Sequence, residues 1–198
     1  MKNAHRRTRV RYAAASAFVF VLLLGVWLLV GGTGSEPRPA ASVASAGTTR
    51  HVAEPAGPTP SESAQMVCAP EAQKDLASVL GVSSTAVETP TWVDHLYSCR
   101  YDYADGAMTL SVKELSSKAQ TSAYFDSLRT QFGKKRPVVG LGQGAFVTTN
   151  GSVVVRKDYK VLLVDTSGLP ARFGPFSANR AKTAIDVGVT VLGCWTGA

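Results

Sequence analysis

The sequence predicts an α+β domain: a mostly antiparallel sheet of about five strands with helices on one face, preceded by one transmembrane helix. Three observations predict it. Residues 13–32 form an apolar run whose one polar member is Ser16. Five of the ten prolines crowd into residues 33–63. Beyond residue 66, short stretches of period two alternate with stretches of helical period, and turn dipeptides join the former.

The 198 residues carry a net charge of +7, but the charge is unevenly placed. Residues 1–12 hold Lys2, Arg6, Arg7, Arg9 and Arg11 and no acid, giving +5. Residues 13–63 sum to −1 and residues 64–198 to +3. Most of the excess therefore lies outside any folded domain, which excludes a strongly basic globular nucleic-acid binder. A hydrophobic content of 45% excludes a uniformly disordered chain.

Residues 1–12 read as a basic cytoplasmic tail. Ala13–Gly32, as a helix, would be about 30 Å long, the thickness of a hydrocarbon core. The cations before it form a positive-inside flank, with Tyr12 and Trp27 toward the two interfaces. The expected localisation is the cell membrane, single-pass, with the C-terminal domain extracellular. A cleaved signal peptide is the rival reading. Its apolar region would be shorter, and the nearest small-x-small site, Ala44-Ser45-Ala46, lies 14 residues past Val30. No cysteine follows the run closely, so a lipobox is lacking.

Residues 33–66 read as a disordered stalk. Pro, Ala, Ser, Thr and Gly dominate it and cannot bury enough apolar area to offset chain entropy. The 31 residues of 33–63, if flexible, span on the order of 30 Å.

Residues 67–198 read as the extracytoplasmic domain. Ala69–Leu80 is expected as a helix, with Pro70 in its first turn, Gly81 at its end, and Ala72, Leu76, Val79 and Leu80 as its apolar stripe. Residues 97–103 alternate as a strand with Tyr97, Cys99, Tyr101 and Tyr103 on one face. Asp105-Gly106 turns it into a second strand carrying Met108, Leu110 and Val112. Ser116 or Ser117 caps a helix to Phe132, with Tyr124, Leu128 and Phe132 inward and Ala123 and Phe125 beside them. Asn150-Gly151 joins strands 145–149 and 152–156, and Lys157-Asp158 turns into strand 159–165. Ser177 is expected to cap a last helix with Ala181, Ala184, Ile185, Gly188, Val189 and Leu192 at helical spacing. The order is α-β-β-α-β-β-β-α, which points to an α+β layer structure. Val153-Val154-Val155 and residues 161–164 mark central, covered strands.

Cys68, Cys99 and Cys194 all fall beyond the span, in a compartment where disulfides persist. A Cys68–Cys99 bridge is favoured, since it would pin the first helix to the first strand. In the chain-entropy model it is worth roughly 3.5 kcal/mol. Cys194 is then a possible free thiol. Pairings that use Cys194, within the chain or between chains, are the alternative.

A Cys before helix one, the strand Ser98-Cys99-Arg100-Tyr101, the turn from Val138 to Ala145 and the helical end Leu192-Gly193-Cys194-Trp195 carry a resemblance. With the anchor and stalk, they resemble the uncharacterised exported domains of actinobacteria found as lipoproteins and as kinase sensor domains. The resemblance spans most of residues 67–198 and departs in lacking the lipobox cysteine. It implies an envelope-associated domain that binds or senses, and it transfers no catalytic residue.

No motif assigns chemistry. Gly140-x-Gly142-x-Gly144 lacks the G-x-G-x-x-G spacing and the strand–helix setting of a dinucleotide loop. His95 beside Asp94 offers a Cys–His or Ser–His pair, but sequence neighbours do not face each other and no nucleophile elbow is present. One His and three scattered Cys do not supply a zinc set. Lys134, Lys135 and Arg136 form a basic knot at a helix end, a candidate surface contact for an anionic glycan or headgroup. Tyr97, Tyr101 and Tyr103 read as core in preference to a sugar-stacking face.

The expected function is a non-catalytic, membrane-anchored domain, monomer or weak dimer, that binds or senses an envelope ligand or partner protein. It is expected to use no cofactor or metal and to bind no nucleic acid. The alternatives are a structural tether of the envelope, dimerised through Cys194, and an envelope enzyme using Cys194 or His95.

Overall fold

The computed structural model describes residues 53–133 and 136–196. The basic tail, the apolar run and most of the stalk lie outside the described residues. Among the described residues no helix is long and apolar enough to cross a membrane.

The fold of the described residues is α+β, with a mainly antiparallel sheet and four helices. A four-residue helix α1 (Glu62–Gln65) and a 3-10 turn (Met66–Cys68) lead into α2 (Pro70–Leu80). Four strands come next: β1 (Ala86–Val87), β2 (Thr91–Val93), β3 (Leu96–Tyr103) and β4 (Gly106–Glu114). Helix α3 (Lys118–Gln131) precedes β5 (Arg136–Val138), β6 (Gly144–Val147), β7 (Val153–Lys157) and β8 (Lys160–Asp165). A two-stranded ribbon, β9 (Arg172–Phe173) and β10 (Ala178–Asn179), leads into α4 (Arg180–Thr196).

The sheet has eight strands, not about five, in the order β1-β3-β4-β8-β7-β6-β5, with β2 paired to β3 alongside β1. The extra strands are two or three residues long, too short to show a period. The β2–β3 turn is Asp94-His95, both residues at positive φ (50° and 57°), which suits the right-handed twist of a two-residue hairpin.

The helices do not share one face. Val153, Val155, Leu162 and Val164 point to a core closed by α2 and α4, which also takes Tyr101, Leu110 and Val112. Val154 and Val161 point the other way, to Phe146 and to Phe125 and Leu128 of α3. The run Val153-Val154-Val155 is wholly buried because both sides of β7 are covered. The buried stripe of α3 is Thr121, Phe125 and Leu128, with the expected Tyr124 and Phe132 half-buried against the same cluster and Ala123 exposed. Thr121 escapes the apolar pattern because its hydroxyl is satisfied within the helix, donating to the Ser117 carbonyl at 2.8 Å.

Three turn expectations shift by one or two residues. The β6–β7 loop uses Thr149-Asn150-Gly151, with Thr148 N donating to Ser152 O, so Gly151 (φ 97°) takes the positive-φ place of a three-residue hairpin. The β7–β8 turn is Asp158-Tyr159, since Lys157 pairs with Lys160. Ser177 does not cap α4. Asn179 does, its side-chain oxygen accepting Lys182 N at 2.9 Å.

Residues 53–66, read as the end of the stalk, belong to the folded body. Ala56 N donates to Leu115 O, Trp92 Nε1 donates to Pro58 O at 3.1 Å, and Ala64 is fully buried. Composition alone puts this segment outside. Its backbone groups find partners on the sheet.

Candidate functional site

The core face of the sheet is apolar along its length until the last pair of β4 and β8. There Glu114 lies opposite Lys160, and the side chains stay on the face that Val112 and Leu162 bury. Both residues are buried, at 3% and 6% exposure. The two form an ion pair with Lys160 Nζ 3.7 Å from Glu114 Oε1.

Ser61 completes the cluster from the other side. Its backbone N–H donates to Glu114 Oε2 at 3.2 Å, and its hydroxyl donates to Oε1. The same hydroxyl accepts Ala64 N at 3.2 Å, capping α1, and lies 3.1 Å from Ser63 Oγ. Ser61 thus ties the incoming chain to a buried carboxylate, and a charge-assisted bond of this kind is worth more than a neutral one. A cavity of about 140 Å³ opens beside the cluster. Lys160 and Trp195 form its buried floor, Ser61, Ser63 and Lys157 its walls, and Glu54 and Glu62 its exposed mouth.

Sequence reading misses this site. Ser61 sits in what composition marks as linker, and Glu114 and Lys160 are 46 residues apart, joined only by the β4–β8 register. One signal is present. Glu114 continues the alternation Met108, Leu110, Val112 onto the buried face, a charged residue in phase with a core stripe.

The residues singled out from sequence do not converge. Cys68 and Cys99 form a disulfide with their Cα atoms 6.0 Å apart, joining the 3-10 turn to β3. Cys194, half-buried and unbridged, lies on α4 with Sγ 3.9 Å from Asp75 Oδ2 of α2. Burial, and then the Asp75 carboxylate, push its thiol pKa up. An activated thiolate nucleophile needs the opposite shift. His95 stands in the β2–β3 turn, its ring edge-on to Trp92 at 5.5 Å. Lys134 and Lys135 lie outside the described residues, and Arg136 opens the edge strand β5, exposed.

Tyr101 and Tyr103 are buried, and Tyr101 donates to Val67 O at 2.6 Å. Burial, with Tyr103 and then Tyr97 nearby, raises the Tyr101 phenol well above its ordinary value, and burial pushes Tyr103 up to about 12. The glycine loop joins β5 to β6 as a turn. Gly142 (φ 59°) packs against β7, where a Cβ would lie 2.6 Å from the Arg156 carbonyl oxygen. No group of three or more metal-ligating side chains occurs among the described residues.

No protein-family model matches the chain, and no curated protein or solved structure matches it either.

Proposed function

We propose that the chain is a single-pass membrane protein whose folded C-terminal domain faces the outside of the cell. In this reading the domain is non-catalytic and binds or senses an envelope ligand or partner, as monomer or weak dimer. The observation that carries it is the Cys68–Cys99 disulfide downstream of the cation-flanked apolar run at residues 13–32. Disulfides persist in oxidising compartments, and a span of that length with that flank delivers the chain on its C-terminal side to one. The resemblance to actinobacterial exported domains supports the same placement.

Protease protection tests the topology. With tags at both ends of the full chain in intact cells, external protease should remove the C-terminal tag and spare the N-terminal one. A protected C-terminal tag would overturn the reading. Crosslinking to envelope fractions tests the binding role, where a domain that stays unpartnered and unliganded counts against it.

A further inference from the structure

Within the Ser61–Glu114–Lys160 cluster each carboxylate oxygen accepts a hydrogen bond from Ser61, while the ammonium stands beyond hydrogen-bond distance of either. Ser61 occupies both oxygens of Glu114. Lys160 Nζ, 3.7 Å from Oε1, is too far for a hydrogen bond. An ammonium carries three donors, and Trp195, which lines the same cavity, has its indole N–H buried with no acceptor, which is costly. The cavity is the space from which acceptors can come, because Lys160 forms part of its floor.

The cavity sets the size and polarity of what fits. Its volume is about 140 Å³. That is well below the ~300 Å³ at which drug-sized pockets begin. The charge order runs from positive inside, at Lys160 and the half-buried Lys157, to negative at the mouth, at Glu54 and Glu62. Asp158, half-buried on the wall, donates its backbone N–H to Gln143 and accepts from the same side chain at 2.9 Å. Its carboxylate is thereby held beside the turn.

We propose that this cavity binds a small zwitterion of α-amino-acid size, with its carboxylate on Lys160 Nζ and its ammonium toward Glu54 and Glu62. A lone carboxylate would meet the acids at the mouth, and a lone amine would meet the lysines inside. The inference rests on the binding role proposed above and gives it a ligand class.

Calorimetric titration of the full chain in detergent with glycine, L-alanine and D-alanine tests it, with acetate and methylammonium as single-charge probes. Saturable heat is expected from at least one amino acid, with acetate and methylammonium at least tenfold weaker. Lys160→Met should abolish it. The exposed double variant Glu54→Gln/Glu62→Gln, which leaves the core untouched, should weaken amino-acid binding several-fold and strengthen that of acetate. No saturable heat from any amino acid, or heat unchanged in the double variant, overturns the proposal. So does acetate binding as tightly as alanine. Protease protection reads the topology independently, so failure here is distinct from failure of the placement outside the cell.

Discussion

Glu114 takes both the backbone N–H and the hydroxyl of Ser61, two bonds across 53 residues of chain, while its ion-pair partner Lys160 stands farther off. The serine is therefore the closer partner of the buried charge. Ser61→Ala should cost about 1–3 kcal/mol, since it leaves a buried carboxylate oxygen short of a donor and uncaps α1. Glu114→Gln should cost about 3 kcal/mol or more, because Lys160 is left as a buried charge without its counterion. Thermal or urea unfolding of the two variants checks the order. A Ser61 variant that melts with the parent would show that the clasp adds nothing to stability.

The disulfide makes a separate claim. The full chain should show one titratable thiol under native, non-reducing conditions, that of Cys194. Replacing Cys68 and Cys99 together by alanine should lower stability by about 2–4 kcal/mol. Two or three reactive thiols in the oxidised protein would contradict the pairing.

The remaining thiol should be sluggish. Burial and then Asp75 raise the Cys194 pKa, so at a given pH less thiolate is present than for a free cysteine. Iodoacetamide should label it more slowly than a model thiol at pH 8, with the rate still climbing above the ordinary titration range. Asp75→Asn should speed labelling. An unchanged rate in that variant would remove Asp75 as a cause.

Asp165 supplies the acid dependence. Burial alone would raise its pKa, but hydrogen bonds from Ser167 N at 2.9 Å and Ser152 Oγ at 2.8 Å outweigh it and hold the carboxyl below its ordinary value. Its contribution is complete above the unfolded-state pKa of about 3.9 and is lost as pH falls through the lower folded value. Stability measured from pH 5 downward should decline in the parent, and Asp165→Asn should flatten that part of the decline. Identical slopes would exclude Asp165 as a contributor.

Sequence reading and structure part company for identifiable reasons. The long elements are legible: α2 ends at Gly81 in the left-handed region, and the Tyr97–Tyr103 alternation is β3. The two-faced sheet is legible in principle, because Val153-Val154-Val155 with no polar member demands cover on both sides, yet element order alone puts the helices on one. The short strands β1, β2 and β5 owe their existence to neighbours in the sheet, which local pattern does not encode. Apart from the phase of Glu114, the candidate site is hidden for the same reason. It is built from a serine in a linker-like stretch and two charges brought together by strand register.

Phe125 tests the second layer. It is buried against Phe146, ring centroids 5.2 Å apart, on the face opposite α2 and α4. Phe125→Ala should cost about 3–5 kcal/mol by chemical denaturation. A cost below about 1 kcal/mol would mean that α3 is not part of the cooperative core.

The position of the bridge has a mechanical consequence. Tension applied through the N-terminus loads the contacts of Ala56, Pro58 and then Ser61 in turn and can strip the lead-in away from the sheet. Peeling then stops at Cys68, where the covalent link to Cys99 passes the load straight into β3, a strand bonded along its length to β4. Helix α2, which lies inside the closed loop between the two cysteines, carries none of the pull. The domain should therefore yield in two stages, a soft release of the short lead-in and a stiff remainder, and reduction should merge them by letting α2 unravel in turn.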